Sequence, residues 1–199
     1  MRYLIAALAF INFALLNQQY ADHKYFNRKW FHAVCVALPT LAIMTISIMC
    51  VLAGATVWYI PIVLALCCIA DVVIVFNFIF GIATFAVAYL FLAVMNIIAM
   101  PFVFSSLMLL PIVFGAICSW ILIPYLDKPL RIPMIGYLGV CLIPMVISAF
   151  LLGPFGFFAC WLLLFSDVLI AMDMVKPLNK GTFLVLATYY VGLLGLLFI

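Results

Sequence analysis

Uncharged apolar runs of about twenty residues follow one another from end to end of this chain, and they leave it few folds to adopt. A bilayer's hydrocarbon core, about 30 Å thick, is crossed by roughly 20 helical residues. Eight runs, at about 2–18, 32–53, 57–76, 79–99, 102–124, 132–152, 155–173 and 181–199, fit that length. Polar or turn-forming stretches separate them: Asn17 to Lys29, Gly54, Asn77, Met100-Pro101, Asp127 to Arg131, Gly153-Pro154 and Asp173 to Gly181. The composition agrees, with 72% hydrophobic residues against roughly 45–50% apolar in soluble domains. A soluble domain of this size buries only about 70% of its surface and could not hide so much. Strands of a membrane barrel alternate in polarity, whereas these runs are continuously apolar. The sequence therefore predicts an all-α polytopic membrane bundle of about eight transmembrane helices, a single integral membrane domain over 1–199. Pro39, Pro61, Pro111 and Pro144 fall inside the runs, where neighbouring helices can re-satisfy the carbonyls they free.

The first run could be taken for a cleaved signal peptide, because Arg2 precedes about fourteen strictly apolar residues. No A-x-A site follows it, and Lys24, Arg28 and Lys29 downstream resist translocation, so it reads as a span. With eight spans, Lys24, Arg28, Lys29, Lys128, Arg131, Lys176 and Lys180 all fall in odd-numbered connections, opposite Arg2. The positive-inside rule makes that side cytoplasmic and puts both termini on the other. Such short connections fit a bacterial inner membrane, with an endomembrane as the alternative setting.

Several function classes drop out. A net charge of +3 spread along the chain lacks the clustered basic face that nucleic acids require. There is no G-x-S-x-G and no phosphate-cradling glycine loop. All seven cysteines lie in apolar runs without a C-x-x-C, where they act as small hydrophobes. His23 and His32 have no partner at metal-ligand spacing and read as interfacial side chains. Trp58, Trp120 and Tyr125 fit an interfacial belt.

Two aspartates stand out. Asp22, Asp127 and Asp173 lie in or beside loops, near Lys24, Lys128 and Lys176, whereas Asp71 and Asp167 sit inside spans three and seven with no cation nearby in sequence. A mid-span Asp costs about 2.5–3.5 kcal/mol to insert. Such residues face the bundle interior or a wet cavity and mark functional sites. Each lies roughly five residues before the cytoplasmic end of its run, about 7–8 Å deep at 1.5 Å per residue. Spans three and seven run in the same direction, so packing them together would bring both carboxyls to one depth. Their surroundings repeat: Asp71-Val72-x-Ile74 leads to Gly81 and Thr84-Phe85, and Asp167-Val168-x-Ile170 leads to Gly181 and Thr182-Phe183. Two desolvated carboxyls that share a site can divide into a protonated acid and an ionised base. Two separate, protonated aspartates that only bridge helices are the alternative. Tyr89 and Asn96 can share a face of span four, and Thr188, Tyr189 and Tyr190 lie on span eight; such residues also bridge helices.

On these residues the chain resembles the lysoplasmalogenase family, the YhhN-like membrane proteins. The matching motifs are Ala70-Asp71-Val72, then Gly81 with Phe85, then Ser166-Asp167 followed by Ala171, and Thr188-Tyr189, in an eight-span plan covering nearly the whole chain. The chain departs from that pattern at Ala70 (usually Gly), Tyr89 (commonly His), Leu193 (commonly Gln) and Arg28-Lys29-Trp30 (usually containing Lys-Pro). The resemblance implies a hydrolase that cleaves the vinyl ether of a lysophospholipid, the lysoplasmalogen, to a fatty aldehyde and glycerophospho-ethanolamine or -choline. It implies Asp71 and Asp167 as the catalytic pair and requires no metal or organic cofactor. Ser166, Tyr89 and Tyr189 would line the substrate site, and Lys128 or Arg131, or else Lys176 or Lys180, would hold the phosphate at the rim. Three readings compete with it. A proton-coupled carrier would use the same buried carboxyls as relays, and a degenerate member would bind lysolipid without turnover. An intramembrane aspartyl protease would need a G-x-G-D that Cys68-Ile69-Ala70-Asp71 does not supply.

Overall fold

The structure, a computed structural model, describes residues 29–99, 109–176 and 181–198. The first run (2–18) and Arg2, Asp22, His23, Lys24, Arg28 and Lys180 lie outside the described residues. Apolar runs with no water to satisfy the backbone must close their hydrogen bonds internally, and the described residues form seven helices: α1 (Lys29–Leu52), α2 (Ile60–Phe76), α3 (Phe78–Ala99), α4 (Leu109–Leu122), α5 (Lys128–Leu151), α6 (Gly153–Val175) and α7 (Gly181–Gly195). A 3-10 turn extends α4 over Ile123–Tyr125, and another extends α7 over Leu196–Phe198. Among the described residues, four helices are long and apolar enough to cross a membrane: Lys29–Leu52, Phe78–Ala99, Lys128–Ser148 and Gly153–Val175. The other three are shorter and equally apolar.

Local chemistry sets the breaks. Asn77 alone separates α2 from α3: its N–H closes the last turn of α2 on Val73, and its side-chain oxygen accepts the Phe80 N–H at 3.2 Å, the usual work of an N-cap. Between α5 and α6 the chain turns at Gly153, whose φ of 72° belongs to the left-handed region that glycine enters without steric cost. Pro61, Pro129 and Pro154 stand in first helical turns, where a missing N–H costs nothing. Pro129 also explains why α5 begins at Lys128, four residues before the apolar run itself. Pro39 and Pro144 lie within α1 and α5, and both helices continue through them.

Consecutive helices pack in order from α1 to α3; then α3 meets α5, α5 meets α6, α6 meets α7, and α7 returns to α1. Six helices thus close a ring, with α4 outside it against α5 and α6. Spans three and seven, whose packing together would have brought their carboxyls to one depth, are α2 and α6 and stand on opposite arcs of this ring. Small residues permit the tightest approaches. On α7, a Cβ at Gly192 would lie 2.8 Å from Leu163, and one at Gly195 would lie 2.7 Å from Ala159, both on α6. A Cβ at Gly81 would collide with the backbone of Ile74 across the α2–α3 hairpin. Gly81→Ala is therefore expected to cost about 1–3 kcal/mol through overpacking. Gly139→Ala, where a Cβ meets nothing within 4 Å, should be neutral or stabilise by roughly 0.5–1 kcal/mol. Unfolding of the two variants side by side in detergent measures the difference.

Candidate functional site

One end of the ring gathers the starts of α1, α3 and α7 and the ends of α2 and α6. A cavity of about 160 Å³ opens there, large enough to hold several waters. Its wall is largely apolar, built from residues such as Val36, Ile74, Phe85, Ile170 and Leu186. Into it project Asp71 from α2, Ser166 and Asp167 from α6, Tyr89 from α3, Tyr189 from α7 and His32 from α1. Five residues singled out in the sequence thus share one cavity, although they come from four helices spread over more than half the chain.

Both carboxyls are withdrawn from solvent, Asp71 being 2% exposed and Asp167 7%. Each has its own partner. Thr40 of α1 donates its hydroxyl to Asp71 Oδ2 at 2.5 Å, and Tyr189 stands beside the same carboxyl. Tyr137 of α5 sets its hydroxyl against Asp167, and Tyr89 lies nearby. The carboxyls do not hydrogen-bond each other. Asp167 Oδ2 and the Tyr189 hydroxyl are buried without a hydrogen-bond partner. Buried polar atoms in folded proteins are nearly always paired, so these two are free to meet a bound molecule. The depths differ from expectation. Asp71 lies five residues before the end of α2, about 7–8 Å, whereas α6 runs on to Val175 and leaves Asp167 eight residues, or about 12 Å, from its end.

Other sequence candidates fall elsewhere. Lys128 is exposed at the first turn of α5, and neither it nor Arg131 lines the cavity. Arg131 donates Nε to the Leu126 carbonyl at 2.9 Å and Nη2 to that of Pro124 at 2.6 Å, closing the turn between α4 and α5. Asn96 lies away from the cavity, accepting the Tyr59 hydroxyl. Three neighbours of the site escaped sequence reasoning: Thr40, Tyr137 and His32. No sequence signal marks the first two, since Thr and Tyr within apolar helices ordinarily serve packing. His32 carried a signal, as the one histidine at the start of a span, but read as interfacial.

Ser166 lines the cavity, yet its hydroxyl donates to the Val185 carbonyl at 3.0 Å and so joins α6 to α7. Ser166→Ala is accordingly expected to lower stability by about 1 kcal/mol while leaving the KM for any cavity ligand essentially unchanged. Thermal unfolding and steady-state kinetics on the same preparation test both halves of that expectation.

Among the departures from the family pattern, Ala70 and Leu193 are fully buried in the packed core, and Tyr89 faces the cavity. No curated protein and no solved structure matches the chain. The model of the YhhN family, the family of lysoplasmalogenases, matches residues 31–198, which include every cavity-lining residue. On that match, the chain belongs to the YhhN family.

Proposed function

We propose that this chain hydrolyses the vinyl ether bond of lysoplasmalogens, with Asp71 and Asp167 dividing the acid and base roles. The observation that carries the reading is that two membrane-buried carboxyls from distant parts of the chain line one apolar-walled cavity. Family membership supports it at the level of reaction type.

The chemistry suits the groups. Cleavage begins when a carboxylic acid protonates the alkene carbon distal to the ether oxygen, leaving an oxocarbenium ion. A carboxylate facing that cation stabilises it and takes a proton from the attacking water. The hemiacetal that forms then collapses, releasing the fatty aldehyde and the glycerophospho head group. The apolar wall provides a bed for the hydrocarbon chain. The head group is left to the basic end of the bundle, where Lys29 and Lys176 stand at helix ends. By the positive-inside rule that end is cytoplasmic, the first run supplies the eighth span, and both termini lie on the opposite side.

Purified protein should release aldehyde from a lysoplasmalogen and none from its saturated-ether analogue, whose alkyl chain offers no alkene to protonate. Asp71→Asn and Asp167→Asn should each reduce that release by at least about a hundredfold, with thermal unfolding close to that of the parent. Full activity in either variant defeats the assignment. Uptake driven by a pH gradient in proteoliposomes, with no aldehyde from any lysolipid, would identify a carrier instead.

A further inference from the structure

Threonines within helices usually turn their hydroxyls back onto the carbonyl three or four residues earlier. Thr45, Thr84 and Thr188 do so here, donating to Leu41, Phe80 and Leu184 at 2.8–2.9 Å. Thr40 does not. Its own helix offers the carbonyls of Val36 and Ala37, and side chains from two other helices reach both. The Tyr190 hydroxyl of α7 donates to the Val36 oxygen at 2.8 Å, and helix geometry adds the Thr40 N–H to the same atom. A carbonyl oxygen has two lone pairs, so the Thr40 hydroxyl would be a crowded third donor to Val36, as Thr188 is at Val185 beside Ser166. The Cys68 thiol of α2 faces the Ala37 oxygen at 3.8 Å. Pro39 frees the carbonyl of Cys35, but that lies five residues back, outside the reach of Thr40. The remaining acceptor for the Thr40 hydroxyl is Asp71.

We infer that Thr40 is a positioning residue for Asp71, and that Tyr190 acts on Asp71 through Thr40 by denying the threonine its in-helix acceptor. The inference rests on the reading of Asp71 as one of the two reacting carboxyls. All three side chains are enclosed, with Thr40, Tyr190 and Asp71 at 0%, 1% and 2% exposure. The arrangement therefore stays dry and keeps one geometry. With Oδ2 tied to Thr40, the rotamer of Asp71 is fixed and its other oxygen is the one left to serve the cavity. Neither Thr40 nor Tyr190 lines that cavity, which separates their role from substrate contact.

The test is a double-mutant cycle with two readouts. Thr40→Val keeps the shape and removes the donor; it is expected to lower kcat about ten- to a hundredfold, the loss of one hydrogen-bond partner of a buried carboxyl, with KM little changed. Thr40→Ser should restore most of that rate. Tyr190→Phe should also lower kcat, because Val36 then accepts the Thr40 hydroxyl, but it should cost nothing further once residue 40 is Val. That coupling is what separates action through Thr40 from two independent packing defects. The second readout needs no turnover: a hydrophobic carbodiimide, which attacks protonated carboxyls, followed by mass spectrometry of the labelled peptides. Labelling at Asp71 should rise in Thr40→Val and Tyr190→Phe and stay at the parent level in Thr40→Ser, with labelling at Asp167 unchanged throughout.

Equal labelling of Asp71 in all variants overturns the inference, as does a Tyr190→Phe loss that adds in full to that of Thr40→Val. Absence of hydrolysis in the parent protein defeats the proposed function alone, since the labelling still decides the role of Thr40. Should Thr40→Val fail to fold, Tyr190→Phe and Thr40→Ser carry the labelling test without it.

Discussion

A carboxyl group below the headgroups must be enclosed by protein or reached by water, because hydrocarbon solvates neither of its forms well. This chain carries two such groups, and the organisation of the bundle follows from housing them. A row of helices would leave an edge where a lipid tail could meet a carboxyl. The ring closed by contact between α7 and α1 has no such edge. Its closure is fastened near one of the acids, where Tyr190 of α7 bonds the Val36 carbonyl of α1, one turn before Thr40 bonds Asp71. Loosening the α1–α7 seam would therefore disturb a carboxyl as well as a helix contact.

The ring is also built twice over. Helices α1, α2 and α3 pack in the same order as α5, α6 and α7; the contact of α3 with α5 matches that of α7 with α1, and α4 lies outside. Each acid sits on the middle helix of its half. Asp71 accepts the hydroxyl of Thr40 and Asp167 faces that of Tyr137, each from the first helix of its own half, and each is neighboured by a tyrosine from the third helix of the other, Tyr189 or Tyr89. The repeat around Asp71 and Asp167 in the sequence is thus matched by the packing. Parallel repeats with a site at their interface also build carriers, so the architecture by itself does not choose a function.

Much of this was legible in one dimension. Helix positions follow from hydrophobicity alone, because in lipid the backbone has few other options. The break at Asn77 and the exceptional standing of Asp71 and Asp167 could be read directly. The rest depends on relations across the ring that sequence spacing does not encode. Thr40 is indistinguishable by type from Thr45, and what sets it apart is that Cys68 and Tyr190, 28 and 150 positions further on, reach its in-helix carbonyls. The stretch from Asp127 to Arg131 looks like a loop because of its proline and charges. A first-turn proline lets α5 begin there, and Arg131 is then committed to the carbonyls of Pro124 and Leu126.

The electrostatics of the cavity bear on which reaction it can serve. Hydrolysis of an ester passes through an oxyanion, which calls for converging N–H or O–H donors or a cation. Among the described residues lining this cavity there is no Lys or Arg, and His32 is the sole nitrogen-bearing side chain. An ionised carboxyl in this wall is repelled by developing negative charge and attracted by developing positive charge. Vinyl ether cleavage generates positive charge when the alkene is protonated, so an ionised carboxyl facing the cavity favours the oxocarbenium ion. The apolar lining strengthens that preference, since an acid–cation attraction grows as water is excluded. The fit to the proposed reaction thus rests on the sign of the charge the cavity can tolerate, as well as on the presence of two acids.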